Sequence, residues 1–251
     1  MPPGEGSLVD TFTTYRDEID AFHDRRERLI KTSRDVTALS KKLIFHLHRY
    51  ACTDAPDAYA SAHTKLQEIS LLLHRCGKDE ELAVPNGAPH DTMNRFERFL
   101  GPSLEEWIEA ASFLHFLEQD ALISYEDVQA LLVVDGLQCV YVTPMRYLLG
   151  LSDLTGELMR YAINAIASHN PLAKIERVLQ MQYTIYSALE PLAATSGELR
   201  KKQQVTLSSI RKVEDAAYTI RVRSAEFSND PATLQEVVRR ALAAGEECDV
   251  T

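Results

Sequence analysis

Asp153 and Glu157 are the residues whose types and spacing first suggest chemistry. They lie four residues apart in the segment LLGLSDLTGELMR at Leu148–Arg160. On a helix this spacing puts both carboxylates on one face, one turn apart. Two carboxylates this close repel each other unless a proton or a metal ion lies between them. The pair therefore predicts a shared cation, and the alternative is an exposed, solvated acidic face.

Gly156 lies between these two acids. Inside a helix a glycine costs roughly 1 kcal/mol relative to alanine. We expect it to leave room for the close approach of another helix or of a ligand, because it has no side chain. The alternative is a glycine that the helix tolerates.

A second acidic pair lies upstream, in the segment SLEEWIEAASFLHFLEQD at Ser103–Asp120. Glu106 and Glu109 are three residues apart, and the helix around them is apolar on nearly every side, which is typical of a buried helix. Buried carboxylates need partners, and a divalent metal ion is a suitable one. For Glu106 there is an alternative: Ser103 and Glu106 have the spacing of a capping box, in which the glutamate bonds back to the cap amide. Glu109 has no such explanation.

Four sequence blocks carry a resemblance to the translin family, and within it to the branch of translin-associated factor X. The two most specific strings are EEWIEA and DLTGELMR, and the resemblance covers roughly Thr11 to Glu226. The blocks occur in the order of the family and lie at His23–Asp35, Phe99–Leu117, Thr143–Arg160 and Lys212–Glu226.

The resemblance implies a magnesium-dependent endoribonuclease that is built together with translin. The four catalytic and metal-binding carboxylates of the family fall on Glu106, Glu109, Asp153 and Glu157. The resemblance also implies that translin itself is a non-catalytic partner, which lacks this full set of carboxylates. The implied cofactor is Mg²⁺, with Mn²⁺ as the alternative ion. The implied assembly is a closed, octamer-like hetero-oligomer that encloses RNA, with single-stranded DNA as a second possible ligand.

Charge is unevenly distributed along the 251 residues, whose formal net charge is −10. An acidic total argues against nucleic-acid binding, since most such proteins have a basic surface. Two stretches are nevertheless basic: His23–Arg49 has eight Lys or Arg against three acids, and Arg200–Arg223 has seven against two. They predict either solvated helix faces or stripes along a phosphate backbone. The candidate RNA-binding residues are Arg25, Arg26, Arg28, Arg200, Lys201 and Lys202.

The cysteines, the N-terminal residues and the hydropathy pattern bear on the expected cellular location. The four cysteines have no paired spacing, which favours reduced thiols over a disulfide frame or a zinc site. The first ten residues do not resemble a secretory signal, and no apolar run approaches the ~20 residues of a membrane span. We expect a cytoplasmic or nuclear protein that does not contact membranes.

The periodicity predicts an all-α, single-domain bundle of about seven helices with a long N-terminal helix, a translin-like fold. Ser7–Ala55 lacks Gly and Pro and has a 4-3 spacing of mostly apolar residues, which predicts a helix of about 40 residues. A short helix at Thr92–Leu100 is expected to end at Gly101-Pro102. The segment Asp135–Val142 is predicted to be a connection without an assigned strand.

Domain limits and helix starts follow from local signals. We expect an N-terminal extension at 1–10, the helical domain at 11–226 and a tail at 227–251 with a short helix at 232–244. Ser124, Thr143-Pro144 and Asn170-Pro171 predict helix starts. The last helix of the domain is expected at Gly197–Glu226.

Other chemistries find less support. A di-iron bundle would need Glu-x-x-His motifs, and the chain has none. His46 and His48 are two residues apart, so they diverge on a helix and are interpreted as structural or exposed. Arg160, three residues after Glu157, is expected to pair with it. A serine hydrolase is not supported because no nucleophile elbow occurs. The second hypothesis is a non-catalytic, nucleic-acid-binding or scaffolding subunit whose acids only help it to fold.

Overall fold

A computed structural model describes residues 8–51, 57–82, 91–166 and 171–224 of the chain. Within these ranges the fold is all-α, as predicted, with seven helices and one very short hairpin. No helix in the described ranges combines the length and apolar character needed to cross a membrane. The elements are α1 (Leu8–Tyr50), α2 (Asp57–Asp79), α3 (Asp91–Gln119), α4 (Tyr125–Ala130), β1 (Val133–Val134), β2 (Leu137–Gln138), α5 (Pro144–Ala165), α6 (Pro171–Ala193) and α7 (Gly197–Ser224).

The helix α1 has 43 residues, so it is about 65 Å long. This confirms the long N-terminal helix, but its two halves have different surroundings. The apolar seam is buried in the C-terminal half, where Leu29, Val36, Leu43 and Leu47 are at most 2% exposed. In the N-terminal half the same spacing is solvent-exposed.

The helices α3 and α5 form the centre of the bundle. α3 packs against α1 and α5, and α5 packs in turn against α6 and α7. The largest core side chains come from α3, since Trp107, Phe113 and Phe116 are fully buried. This burial agrees with the apolar character that the sequence predicts for this helix.

The expected helix end at Gly101-Pro102 is wrong, because α3 continues through both residues to Gln119. A proline inside a helix costs roughly 3 kcal/mol. Phe96, Leu100 and Leu104 lie on either side of Pro102 at a spacing of four and are at most 2% exposed. Burial of each such side chain contributes about 1.5–3 kcal/mol, so tertiary packing outweighs the local break.

The capping-box interpretation of Glu106 is wrong for the same reason. Ser103 lies inside α3, and its hydroxyl donates to the Leu100 carbonyl oxygen at 2.7 Å. Gly101 is closely approached by the Arg146 guanidinium of α5, whose Nε would lie 2.5 Å from an added Cβ. Gly101 therefore serves the contact between α3 and α5, and Gly101-Pro102 does not precede a new helix.

Two predicted helix starts are confirmed by their hydrogen bonds. The Ser124 side chain accepts from the Asp127 amide, and the Thr143 side chain accepts from the Arg146 amide with Pro144 at the first helical position. α6 begins at Pro171 and α7 ends at Ser224, while Asn170, residues 225–226 and the predicted tail helix at 232–244 lie outside the described residues.

The connection after α4 contains a hairpin that the sequence prediction left unassigned. β1 pairs antiparallel with β2, with Val134 opposite Leu137. The two turn residues, Asp135 and Gly136, have positive φ of 51° and 74°. Asp-Gly is a preferred sequence for this type of two-residue hairpin turn, so the signal was present in the sequence.

Two glycines of α5 have opposite surroundings. An added Cβ at Gly150 would lie 2.7 Å from Cγ2 of Ile108 and 3.1 Å from the Glu105 carbonyl oxygen on α3, whereas at Gly156 it would meet nothing within 4 Å. Close approach of a helix therefore requires Gly150, and the expectation that Gly156 makes room for a helix is wrong. The open space beside Gly156 is compatible with a ligand.

We expect the substitutions Gly150→Ala and Gly156→Ala to shift stability in opposite directions. Gly150→Ala forces α3 and α5 apart and should lower the free energy of unfolding by about 1–3 kcal/mol. Gly156→Ala should leave it unchanged or raise it by up to about 1 kcal/mol, because alanine favours the helix and nothing obstructs its Cβ. Thermal unfolding followed by circular dichroism checks both, and equal effects would contradict the assigned packing.

Candidate metal and RNA site

Carboxylates from two central helices meet at one pocket of the bundle. α3 carries Glu106 and Glu109, α5 carries Glu157, and α1 closes the third side. The pocket has a volume of about 590 Å³ and is lined by Lys41, Ile44, Phe45, His48, Glu106, Glu109, Glu157, Arg160 and Asn164. Three of the four predicted site acids therefore share one pocket, and Asp153 is not among its lining residues.

Glu109 is the most strongly perturbed group of this site. Its side chain is buried, and within the described part of the chain its carboxylate has no hydrogen bond or ion pair. Burial, followed by the negative charges of Glu157, Asp153 and Glu106, raises the pKa of Glu109 to about 9, while Lys202 opposes this shift. All four predicted acids therefore interact electrostatically, and at neutral pH Glu109 holds a proton unless another cation is present.

Glu157 has two basic partners. Its Oε2 lies 2.5 Å from Nε2 of His48 on α1, and Arg160 donates from Nη1 to both of its oxygens at 2.8 and 2.9 Å. The Arg160 contact confirms the pairing expected from their spacing. The His48 ring packs against Phe113, with ring centroids 4.7 Å apart, and its Nδ1 is buried without a hydrogen-bond partner.

His48 is a site residue that the sequence interpretation missed. The spacing of two between His46 and His48 indicates only that they diverge, and each histidine belongs to its own face of α1. His48 lies four residues after Ile44, which is buried, so its position continued the packed face of the helix. That position was the only signal available for it.

The other two predicted acids are paired with lysines. Glu106 Oε1 lies 3.0 Å from Nζ of Lys41. Lys202 of α7 donates to both oxygens of Asp153 at 2.6 and 2.7 Å. Burial lowers the pKa of Lys202, but its hydrogen bond with Asp153 and the charges of Asp153 and Glu105 outweigh that effect and raise it. The Lys202 ammonium is therefore a resident cation of the acid cluster.

Glu105 is a further acid at this site that the sequence interpretation passed over. It accepts from Lys202 at 3.3 Å and forms a short ion pair with Arg146, which also binds Glu97. The resulting chain of charges links α7, α3 and the first turn of α5. Glu105 directly precedes Glu106 in EEWIEA, so its side chain leaves the helix about 100° away and reaches a different set of partners.

A family model described as the translin family matches residues 24–224 of the chain. The chain belongs to the translin family. It is 34% identical over 240 residues to mouse (Mus musculus) translin-associated protein X, which covers 86% of this chain and 79% of the mouse protein. The Schizosaccharomyces pombe translin-associated protein X homolog is 27% identical over 223 residues, covering 87% of this chain and 90% of that protein. The resemblance predicted from the sequence blocks is thus confirmed.

Solved structures of translin-like chains have the same fold. The structure described as apo-NeC3PO superposes with a TM-score of 0.65 at 19% identity, covering 84% of this chain and 97% of that one. The structure described as AfC3PO gives a TM-score of 0.64 at 22% identity, with the same coverage. At these identities the likeness concerns the fold, and it confirms the translin-like helical bundle.

The donor set suits a hard divalent ion of the kind that the translin family implies. Mg²⁺ prefers carboxylate and water oxygens, and Glu109 offers a buried carboxylate that no described residue neutralises. In the described ranges no group of three or more His, Cys, Asp or Glu side chains is arranged to hold a metal ion. Lys41, Lys202 and His48 each hold one of the other acids. The shared-metal site therefore stays a prediction that requires some of these ion pairs to open.

The predicted RNA-binding arginines of α1 have partners within the fold. Arg25 and Arg28 both contact Glu80, a buried acid near the end of α2, at 3.4 and 2.5 Å. Arg26 pairs with Glu27 at 2.8 Å and lies over the Phe99 ring. Since a buried acid needs compensation, two of these three arginines have a structural role that is independent of RNA.

The three basic residues of α7 are placed differently from one another. Arg200 donates to the carbonyl oxygens of Ala193 and Ala194, and Lys201 is exposed. Lys202 points into the acid cluster, which the sequence interpretation did not foresee. RNA binding by the predicted stripes stays a prediction, and Lys202 is better explained by its contacts with Asp153 and Glu105.

We expect Glu109→Gln to remove a pH dependence of stability. The folded protein keeps the Glu109 proton up to pH about 9, whereas the unfolded chain loses it near the ordinary value of 4.5. Between these values the folded state binds more protons, so the free energy of unfolding falls as pH rises, with a limiting slope of about 1.4 kcal/mol per unit. Glutamine carries no charge and should flatten this slope.

The measurement is urea unfolding in metal-free buffer at several values between pH ~5 and ~9. Glu68→Gln is the matched control, because Glu68 is exposed on α2 and its neutralisation should leave the slope intact. A slope that is the same in the parent protein and in Glu109→Gln would contradict the burial of an ionisable Glu109.

Proposed function

We propose that this chain is the catalytic subunit of a hetero-oligomer with translin and that it cleaves RNA endonucleolytically with the help of Mg²⁺. The observation that carries the proposal is the Glu109 carboxylate, which is buried without a partner and lies within electrostatic reach of Glu106, Asp153 and Glu157. A fold seldom maintains such a group unless it serves a function. Membership of the translin family supports the same conclusion.

The chemistry suits phosphodiester cleavage. A hard divalent ion supplies charge stabilisation at the phosphate and lowers the pKa of an attacking water, and Glu106, Glu109, Asp153 and Glu157 would hold it. The chain itself contributes cations on the same pocket: Lys41 and Arg160 have side chains that are 63% and 59% exposed. Both can contact phosphate oxygens while they remain close to their present acids.

We propose single-stranded or nicked RNA as the substrate, including passenger-strand fragments of small-RNA duplexes and fragments of precursor transfer RNA. These substrate classes come from the family resemblance. We place the reaction in the cytoplasm, the nucleus or both.

A non-catalytic scaffold is the second candidate function, and the ion pairs of the site favour it. Lys202, Lys41 and Arg160 already form ion pairs with Asp153, Glu106 and Glu157, which is what a purely structural cluster would need. The two functions differ in their response to Mg²⁺. An ion that binds only the folded state raises the melting temperature, so a Mg²⁺-dependent rise that Glu109→Ala abolishes supports the enzyme.

We expect Glu109→Ala and Asp153→Ala each to reduce RNA cleavage by the translin complex at least about 100-fold. Loss of a ligand removes charge stabilisation worth several kcal/mol, and each 1.4 kcal/mol is about tenfold in rate. Assembly and RNA binding should persist, because neither side chain belongs to the apolar core. The assay compares cleavage of a labelled RNA with size-exclusion profiles and with Glu68→Ala as control. Full activity of Asp153→Ala would refute the proposed site.

The exposed seam of α1 is the surface proposed for assembly with translin. Leu8, Phe12, Tyr15 and Ile19 follow a 4-3-4 spacing and are between 56% and 74% exposed. Apolar residues at this spacing form a stripe that can interdigitate with another helix. A stripe of this size on a helix end that extends from the bundle is a typical interaction surface.

We expect Phe12→Ser and Ile19→Ser to weaken the complex with translin by roughly tenfold or more each, because each buried apolar side chain contributes about 1.5–3 kcal/mol. Asp17→Ser and Asp20→Ser lie on the same turns but outside the seam and serve as controls. Sedimentation or light scattering of the co-expressed proteins over a dilution series measures the effect. Equal assembly of seam and control variants would assign another surface to this contact.

A further inference from the structure

Phe45 is an exposed aromatic ring at the edge of the carboxylate pocket. Its side chain is 71% exposed, although its neighbours Ile44 and Leu47 on α1 are buried. A single exposed apolar residue needs no explanation by itself. Phe45, however, lines the same pocket as the site acids Glu106 and Glu109.

Two exposed cations accompany this ring at the pocket. Lys41 precedes Phe45 by one helical turn, so both side chains leave α1 on the same face, with Cβ atoms about 5–6 Å apart. Arg160 of α5 lines the pocket as well. Lys41 is bonded to one oxygen of Glu106, and Arg160 is bonded to Glu157 through Nη1. Each has further N–H donors, since a lysine has three and an arginine five.

We propose that Phe45 is a stacking platform for one unpaired RNA base and that Lys41 and Arg160 contact the phosphates beside it. An aromatic face next to phosphate-binding cations is the combination that single-stranded nucleic-acid sites use. A base inside a duplex is stacked on both sides and cannot place its face on the ring. The pocket therefore selects a nucleotide that is single-stranded, and Phe45 is a residue that determines this specificity.

This inference rests on the proposed function, because it names how the same pocket holds its substrate. It also assigns a position to the phosphate beside the stacked base. A base on the Phe45 ring positions the adjoining phosphate next to Glu106 and Glu157, where the proposed cleavage takes place. The alternative occupant of an exposed phenylalanine is a side chain of a partner subunit, and the test below separates the two.

The experiment uses the assembled complex with translin and a short fluorescein-labelled single-stranded RNA in metal-free buffer, where binding is measured without cleavage. Phe45→Ala should weaken binding about 5- to 150-fold, which corresponds to the loss of one base–aromatic stack. Phe45→Trp should preserve or increase affinity, while Phe45→Leu should not, since leucine is apolar but has no aromatic face. Tyr218 has a ring that is 70% exposed on α7 and does not line the pocket. The variant Tyr218→Ala should therefore bind RNA like the parent.

A series of RNAs with one abasic nucleotide identifies the stacked base. One abasic position should weaken binding to the parent complex, and the same RNA should bind Phe45→Ala no more weakly than the intact RNA does, because the two losses concern one contact. Size-exclusion chromatography of every variant monitors assembly. Loss of assembly in Phe45→Ala with restoration by Phe45→Leu would overturn the inference in favour of a protein contact.

The outcomes also distinguish this inference from the proposed function. If the parent complex cleaves RNA and Phe45→Ala binds and cleaves RNA as the parent does, the stacking role is overturned and the proposed enzymatic function is unaffected. If RNA binding depends on Phe45 and is weakened by an abasic nucleotide, but no Mg²⁺-dependent cleavage occurs, the stacking role is supported and the proposed enzymatic function is refuted. A parent complex that binds no single-stranded RNA refutes both.

Discussion

Repulsion between carboxylates at the contact of α3 and α5 is the constraint around which the neighbouring helices are arranged. Glu109 and Glu157 are both buried, and the negative charge of Glu157 opposes the ionisation of Glu109. Uncompensated charge of this kind is expensive in a protein interior. α7 supplies Lys202 and α1 supplies Lys41 as compensating charges, and His48 of α1 lies within hydrogen-bond distance of Glu157. These two helices are thus held to the central pair by charge as well as by packing.

These basic residues do not compensate every carboxylate of the site. Glu109 has no basic partner in the described part of the chain, and burial together with the neighbouring carboxylates raises its pKa to about 9. At neutral pH a proton satisfies this carboxylate. In the proposed function a divalent ion takes the place of the proton, and a group that weakens the metal-free fold can then be retained for function.

Other basic residues of the fold also compensate acidic side chains. Arg25 and Arg28 accompany the buried Glu80, and Arg146 joins Glu97 to Glu105. The cations that remain well exposed beside the acid pocket are Lys41 and Arg160. A count of basic residues along the chain therefore overstates the surface available to a phosphate backbone. Location relative to the buried acids decides which cations remain available for the proposed contact with RNA.

Several features followed from the sequence because they depend on neighbours within one or two helical turns. The acidic pairs at spacings of three and four, the caps at Ser124 and Thr143 and the long α1 all have local causes. The family blocks added the link between the two acidic pairs, which spacing alone could not supply. The hairpin at Asp135-Gly136 had an equally local signal that went unused.

The tertiary structure decided the features whose energies come from distant partners. His48 lies 109 residues from Glu157, and Lys202 lies 49 residues from Asp153, so no spacing rule connects them. The continuation of α3 through Pro102 and the close approach at Gly150 also depend on other helices. Local preferences amount to a few kcal/mol, and burial of apolar side chains across the bundle contributes as much or more where α3 continues through Pro102. The sequence by itself determined which acids are candidates for chemistry, and packing determined which cations and which surfaces accompany them.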